Sequence, residues 1–557
     1  MSERVLRGAP ASPGLAAGRA RVLSEPSGAS TREPVPEAEL ETEAARARAA
    51  LADAGAELEA IAAGLRDSGR DEEAEIVETG ALMAADPALE TAVSDGVTAR
   101  RLDASTALLA ASDEHANAIA ALPDPVLAAR ADDVRSVGRR AARIASGSDA
   151  SAPQNGSTFI LVAEDLGPAD VAEHGTRVSG IALSGGAATA HAAIVARSLG
   201  IPMAVRAGAL LLSVADGTAL VIDGGEGEVI LDPSPGRLEL AESASRARTH
   251  ARAKERAESA LPAVTKDGRQ VRVLVNAATP AEVAAGLSAG AEGAGLIRTE
   301  LAFLDAGGWP SRAEHASMLA PLLSGLGGLP ATVRVLDFGG DKVPPFLRGE
   351  PRRGMELLLA YPGALRAQLA AIAEVADNAE LRVLLPLVHS VEHVRLTRAI
   401  LETLGRSGSL GAMIELPEAA EAADEIATEC DFLSVGTNDL THATLGTDRF
   451  SHGEAPAHDP RVLRHIASAA QAAQRVGIPL EVCGEAASDP LTVPLLVGLG
   501  ADELSVGAAR VGAVRAWIRE LDYADAAQRA HRALGATDPA AVEELARPMA
   551  PAAERQH

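Results

Sequence analysis

The sequence predicts a multidomain α/β chain that ends in a (β/α)₈ barrel, and three observations carry that prediction. At 557 residues the chain exceeds what one ordinary hydrophobic core supports. From residue 263 to 547 short apolar runs alternate with helical stretches, the pattern of a parallel sheet. Upstream, a block rich in alanine, glutamate and arginine interrupts a region of short strands, as an inserted helical unit would.

Taken in order, residues 1–36 open with VLRGAPASPGLAAGRARVL, an extended segment with glycine turns. Residues 37–146 place apolar side chains three and four apart, as in ELETEAARARAALADAGAELEAIAAGL, which predicts antiparallel helical hairpins. Breaks are expected at Gly64, at 67–69, and at Pro87, Pro123 and Pro125. The polar stretch GSDASAPQNGS at 147–157 reads as a linker. The strands TFILVA, VSGIAL, PMAVRA and TALVIDGG follow, with a helix at 191–199. Residues 1–36 and 147–237 thus form one α/β domain, 37–146 its helical insert, and 238–262 a charged helical connector. The barrel supplies eight strand candidates, at 271–276, 293–298, 332–337, 381–388, 411–416, 431–436, 479–484 and 502–506. Residues 548–557 read as a polar tail.

Composition excludes several function classes. A formal net charge of −26 would repel a nucleic-acid backbone. Aromatic residues make up only 2%, too few for a base-stacking platform. No run approaches the roughly 18–20 apolar residues of a membrane span, and the N-terminus has no apolar signal-peptide core. Two cysteines, Cys430 and Cys483, cannot form a disulfide framework. The expectation is a cytoplasmic, reduced protein.

Barrel chemistry sits at the carboxyl ends of the strands. There the sequence delivers Arg298, then Arg334 with Asp337 and Lys342, then Glu415, Asn438 with Asp439, and Cys483, with Arg449 further along the sixth loop. Any one alone reads more simply as a surface ion pair or, for Cys483, a small buried apolar residue. Convergence of cations, carboxylates and a thiol from five strand ends is not explained that way. Arginine forks grip phosphate and carboxylate, and Lys342 adds a point charge. Glu415 and Asp439 are oxygen ligands suited to Mg²⁺, which takes its remaining ligands from water and substrate. No His/Cys cluster for zinc occurs among these strand ends. The set fits a small, highly anionic substrate held with a divalent metal.

Upstream, SGGAATAHAAIVARSLGIP delivers His191 into the first turn of a helix, where free N–H groups and the helix dipole favour an incoming phosphoryl group. A neutral imidazole is a competent nucleophile near neutral pH. From residue type alone a capping role would be the simpler reading.

The motifs GAGLIRTE, LDFGGDK, IELP, SVGTNDLT, TDR and CGEAASD, with the opening ASPGLAAG, resemble Enzyme I of the bacterial sugar phosphotransferase system, over essentially the whole chain. The histidine stretch is similar to the GGxTSHxAIxAR motif of Enzyme I and of the related dikinases and synthases. The resemblance implies a swivelling phosphohistidine domain with a helical insert that docks the carrier protein HPr, followed by a phosphoenolpyruvate-binding barrel. It implies phosphate and carboxylate contacts from Arg298, Arg334, Asn438 and Arg449, with Lys342 nearby, and Mg²⁺ on Glu415 and Asp439. It implies Cys483 as the acid that protonates the enolate, His191 as the phosphoryl carrier, and a homodimer through the barrel. Two departures stand out. The family's serine before the histidine is Ala190 here, its second glycine is replaced by Ala187 or displaced by an inserted residue, and Thr189 is the hydroxyl left in the loop. After Lys342 the segment GEPRRGMELLL is short, putting Arg353 on a substrate-contacting arginine and Glu356 on a second one.

Two other readings remain in view. A phosphoenolpyruvate synthase or dikinase would charge the histidine from ATP, but no GxxxxGK[ST] loop occurs, and no further N-terminal ATP-binding region is expected. An inactive regulatory homologue is supported only by Glu356 and the altered histidine loop.

Overall fold

The computed structural model describes residues 3–23, 34–67, 71–121, 130–147, 158–174, 177–186, 191–339, 342–375, 380–405, 408–447 and 455–551. It divides into two units, residues 1–249 and 250–557.

The first unit is built on an eight-stranded mixed sheet: β1 (Arg4–Arg7), β2 (Ala9–Ser12), β3 (Leu15–Val22), β4 (Phe159–Ala163), β5 (Val178–Leu183), β6 (Met203–Val205), β7 (Ala219–Asp223) and β8 (Glu228–Leu231). The spatial order is β1-β8-β7-β3-β4-β5-β6-β2. The N-terminal segment expected as extended is therefore three strands. β3 pairs parallel to β4, and it can do so only because the helical insert leaves the sheet between them. That insert comprises α1 (Leu40–Asp67), α2 (Asp71–Ala84), α3 (Pro87–Thr98), α4 (Ala104–Ala120) and α5 (Ala131–Ser146). Its core is mostly alanine, with Leu51, Leu58, Val77, Leu89, Val93, Leu108 and Val137 filling the spaces that close helix packing leaves.

The expected break at Gly64 does not occur. α1 runs through it to Asp67, and a side chain at Gly64 would meet nothing within 4 Å. An exposed glycine costs a helix about 1 kcal/mol in propensity, and the burial of Leu58, Ala62 and Leu65 around it outweighs that. The break at Pro87 is real: Asp86 accepts the Ala88 N–H as an N-cap, and Pro87 begins α3. Residues 68–69, Pro123 and Pro125 lie outside the described residues. α6 (Pro168–His174) and α7 (His191–Leu199) pack on the sheet, and α8 (Pro235–Ala257) runs across the division between the units.

The second unit is a closed eight-stranded parallel barrel: β9 (Arg272–Ala277), β10 (Ala294–Arg298), β11 (Ala331–Arg334), β12 (Leu381–Leu385), β13 (Ser409–Ile414), β14 (Phe432–Gly436), β15 (Leu480–Cys483) and β16 (Glu503–Gly507). All eight fall on the expected strands, because each is a short apolar run bounded by turn residues, but β11 ends at Arg334 and β12 at Leu385, each three residues before the expected end. Leu296, Leu384, Met413, Phe432 and Cys483 fill the interior, one from each of five strands. Register aligns the functional ends: Arg298 opposes Arg334 across β10 and β11, and Gly436 opposes Cys483 across β14 and β15. Ala550 is buried after a short turn at Arg547–Met549, so the polar ending begins beyond it.

Candidate active site

At the barrel mouth one buried carboxylate gathers the cations. Glu300, immediately past β10, is fully buried, and its Oε1 lies 2.6 Å from Arg334 Nη2 and 2.9 Å from Lys342 Nζ. Arg334 Nη1 reaches Asp337 Oδ2 at 3.1 Å. Burial opposes ionisation of Glu300, but Arg334 and Lys342 outweigh it and hold the carboxyl below its usual range. Arg298 stands 3.5 Å from Glu282 Oε1, with its buried Nε lacking a hydrogen-bond partner. Arg353 is half-exposed, and its guanidinium lies 3.9 Å from Asp439 Oδ1. The shortened segment after Lys342 thus still brings Arg353 to the mouth. Glu356, on the helix that follows, lies near enough to act electrostatically on Arg352 and His393.

The opposite side of the mouth is acidic. Glu415 is buried just beyond β13, and its Oε1 accepts the Leu387 N–H at 2.6 Å. Burial, then Asp337 and Asp439, push its proton affinity up, with Arg334 opposing. Gly436 keeps this pocket open, since a Cβ there would sit 2.9 Å from Glu415 Oε2. Asn438 Oδ1 accepts the Glu485 N–H at 2.9 Å, and Thr437 Oγ1 donates to the Cys483 carbonyl at 2.8 Å. Both contacts need Gly484, whose φ is +93° and whose absent side chain would lie 2.7 Å from Asn438 Oδ1. Cys483 Sγ lies 3.8 Å from Ser434 Oγ, and burial pushes the thiol up to about 12, so it stays protonated at neutral pH.

Does this mouth suit a divalent cation? The repulsion that Asp337 and Asp439 impose on the Glu415 carboxylate would be relieved by such an ion. No group of three or more His, Cys, Asp and Glu side chains is arranged for a metal among the described residues. Glu415 and Asp439 fit the protein share of a site completed by water and substrate oxygens.

The second candidate centre is in the first unit. His191 is the first residue of α7, and its Nδ1 lies 3.0 Å from Oδ2 of Asp133 on α5. Asp133 is buried and also receives Arg130 Nη1 at 3.3 Å. With Nδ1–H donating to Asp133, the lone pair belongs to Nε2. A hydrogen bond from Ser198 to Glu73 further ties α7 to the helical insert.

The structure thus brings Arg334, Lys342, Arg353, Glu415, Asn438, Asp439 and Cys483 to one mouth, with Arg298 at its edge. Arg449, Ala187, Thr189 and Ala190 lie outside the described residues. Sequence reasoning missed Glu300 and Asp133. Glu300 could have been suspected from its place in LIRTE beside a strand-end arginine. Asp133 sits in a helix with nothing local to mark it. Four other histidines, His174, His389, His442 and His458, are part-buried. His174 ends α6 edge-on to Phe159, and His458 is 3.3 Å from Glu543. His442 lies in the helix Thr437–Leu445, bonded to Thr447.

Comparison with known proteins gives three family matches along the chain. These are "PEP-utilising enzyme, N-terminal" at 7–130, "PEP-utilising enzyme, mobile domain" at 156–227, and "PEP-utilising enzyme, PEP-binding domain" at 252–523. A phosphoenolpyruvate-protein phosphotransferase of Bacillus sp. (strain S) is 34% identical over 94% of this chain and 95% of its own length. That of Streptomyces coelicolor is 36% identical over 97% of each. A multiphosphoryl transfer protein of Rhodobacter capsulatus is 37% identical over 78% of this chain and 54% of its own length.

Proposed function

The chain belongs to the phosphoenolpyruvate-protein phosphotransferases, the Enzyme I family of PEP-utilising enzymes, and from that premise we propose how its residues divide the work. The enzyme moves the phosphoryl group of phosphoenolpyruvate to a protein acceptor in the sugar phosphotransferase system, releasing pyruvate. His191 Nε2 is the covalent carrier, and the acceptor is the histidine of HPr, docked on the helical insert. Arg298, Arg334, Arg353, Asn438 and Arg449 grip the phosphate and carboxylate of the substrate, with Lys342 beside them. A divalent cation belongs to the chemistry, and Glu415 and Asp439 suit it to Mg²⁺. Such an ion would neutralise charge on the transferring group and on the enolate. Loss of the phosphoryl group leaves an enolate carbon, which takes the Cys483 thiol proton to become the methyl of pyruvate.

His191 and the barrel mouth belong to different units, so the unit carrying His191 must visit the mouth and then the carrier. α8 is the connector that allows it. No described helix is long and apolar enough to cross a membrane. A cytoplasmic site of action and a homodimer through the barrel complete the proposal.

The observation that carries this reading is the pairing of His191 Nδ1 with buried Asp133, which leaves one defined nitrogen, at a helix N-terminus, free to take a phosphoryl group. The experiment is incubation with labelled phosphoenolpyruvate and Mg²⁺, with and without chelator. Acid-labile label should appear on His191 only with metal, vanish in His191→Ala, and form with slowed pyruvate release in Cys483→Ala. No label on the intact protein with metal present would sink the reading, and label from ATP instead would favour a dikinase.

A further inference from the structure

Below the mouth, inside the barrel, lies a row of polar groups that the mechanism above does not use. Side chains alternate along a strand, so Glu481 and Cys483 of β15 share the inward face, one layer apart. Ser434 on β14 is the register partner of Glu481, and its Oγ lies 3.3 Å from Glu481 Oε1 and 3.8 Å from Cys483 Sγ. The hydroxyl therefore bridges a carboxyl and a thiol, all three wholly or almost wholly buried.

The charges around Glu481 determine which group donates. Arg382 on β12 places Nη1 2.9 Å from Glu503 Oε2 but its Nη2 only 3.6 Å from Glu481 Oε2. Arg272 on β9 also pairs with Glu503, on β16. Arg382 thus hydrogen-bonds only Glu503, through Nη1, and its Nη2 and Glu481 Oε2 face each other without a hydrogen-bond partner. Burial, and next to it the Glu503 charge, favour the protonated carboxyl against the pull of Arg382, Ser434 and Arg272. A protonated Glu481 donates to Ser434 Oγ. The Ser434 hydrogen is then left for Cys483 Sγ, and the thiol hydrogen is directed away from Ser434 toward the mouth.

We propose that Glu481 is a positioning residue for proton delivery: through the Ser434 hydroxyl it aims the Cys483 thiol hydrogen at the substrate and compensates the thiolate as it forms. This rests on Cys483 being the proton donor of the proposed function. In the step, the S–H bond breaks and a C–H bond forms at the enolate methylene, with sulfur keeping its electron pair. The Ser434 proton moves to sulfur, and the Glu481 proton moves to Ser434 Oγ. The carboxylate left behind faces Arg382. Water reloads the row by the reverse path after pyruvate leaves, so one solvent proton is consumed per pyruvate.

The test is exchange of pyruvate methyl hydrogens with D₂O, followed by NMR on the full-length protein with Mg²⁺ across a pH series. Glu481→Gln and Ser434→Ala should each slow exchange roughly tenfold or more, with phosphoenolpyruvate affinity unchanged. The double variant should be no slower than either single one, because both act through one row. Glu481→Gln should also lose the fall in rate that deprotonation of Glu481 imposes at alkaline pH in the parent. Wild-type exchange and pH profile in either variant, with Cys483→Ala inactive, would overturn the inference and leave the Cys483 assignment standing. Wild-type exchange in Cys483→Ala would overturn that assignment, and the inference with it. Should Glu481→Gln fail to fold, Ser434→Ala decides by itself: a normal rate refutes the row, a slowed rate supports it.

Discussion

Glu300 shows how one side chain sets the character of the barrel mouth. Alone it would be an expensive buried charge, and with Arg334 and Lys342 on a single oxygen it becomes the anchor that fixes both cations. His315 shows the opposite solution. It is fully buried in the helix Arg312–Leu326, edge-on to Phe303 at 5.0 Å, with neither ring nitrogen hydrogen-bonded. Burial lowers it from 6.5 to about 4, the nearby Glu314 opposing, so the fold holds it neutral. The unfolded chain binds this proton first as pH falls, so stability declines as pH drops through that window, by roughly 3 kcal/mol in all. His315→Leu should remove that share of the acid sensitivity. The difference between the urea midpoints at pH 7 and pH 5 should be smaller in the variant than in the parent, and equal pH dependence in both would refute the assignment.

At the scale of elements, two glycines the sequence presents alike differ in kind. Gly64 lies on the exposed face of α1 with empty space beside it, so Gly64→Ala should stabilise by about 0.5–1 kcal/mol. Gly484 follows β15 at φ +93°, against Thr437 and Asn438. Gly484→Ala should destabilise by more than about 1 kcal/mol, and it should weaken phosphoenolpyruvate binding by displacing Asn438. Chemical denaturation of the two variants reads both signs, and a neutral Gly484→Ala would show that the turn is less constrained than its backbone indicates. Residue spacing located the strands and the strand-end side chains, because both depend on local periodicity. It misjudged Gly64, because whether a helix survives a glycine depends on what packs around it.

At the scale of the molecule, the two units hold separate cores, alanine-rich helices and a mixed sheet in one, a filled barrel in the other. Calorimetry of the full chain should therefore resolve two transitions. Phosphoenolpyruvate with Mg²⁺ should raise only the barrel's, by about 2.7 kcal/mol when the ligand is at a hundred times its Kd. His191→Ala should leave that shift intact. A single transition moved as a whole by ligand would mean that the units unfold together.

The sequence by itself determined the fold class, the eight barrel strands and the strand-end residues Arg298, Arg334, Glu415, Asn438 and Asp439, since apolar runs and strand ends are local properties of a chain. Cys483 stood out on the same basis, as a strand-end residue, whereas His191 stood out through the resemblance of its loop to the family's histidine motif. Tertiary structure alone decided which charge answers which. Glu300 takes cations 34 and 42 residues away. Asp133, from a different helix, fixes the His191 nitrogen, and Glu481 reaches Cys483 only through Ser434 of the neighbouring strand. The reason is physical: a buried charge must be compensated by whatever the register of distant strands and helices brings beside it, and no local spacing encodes that register.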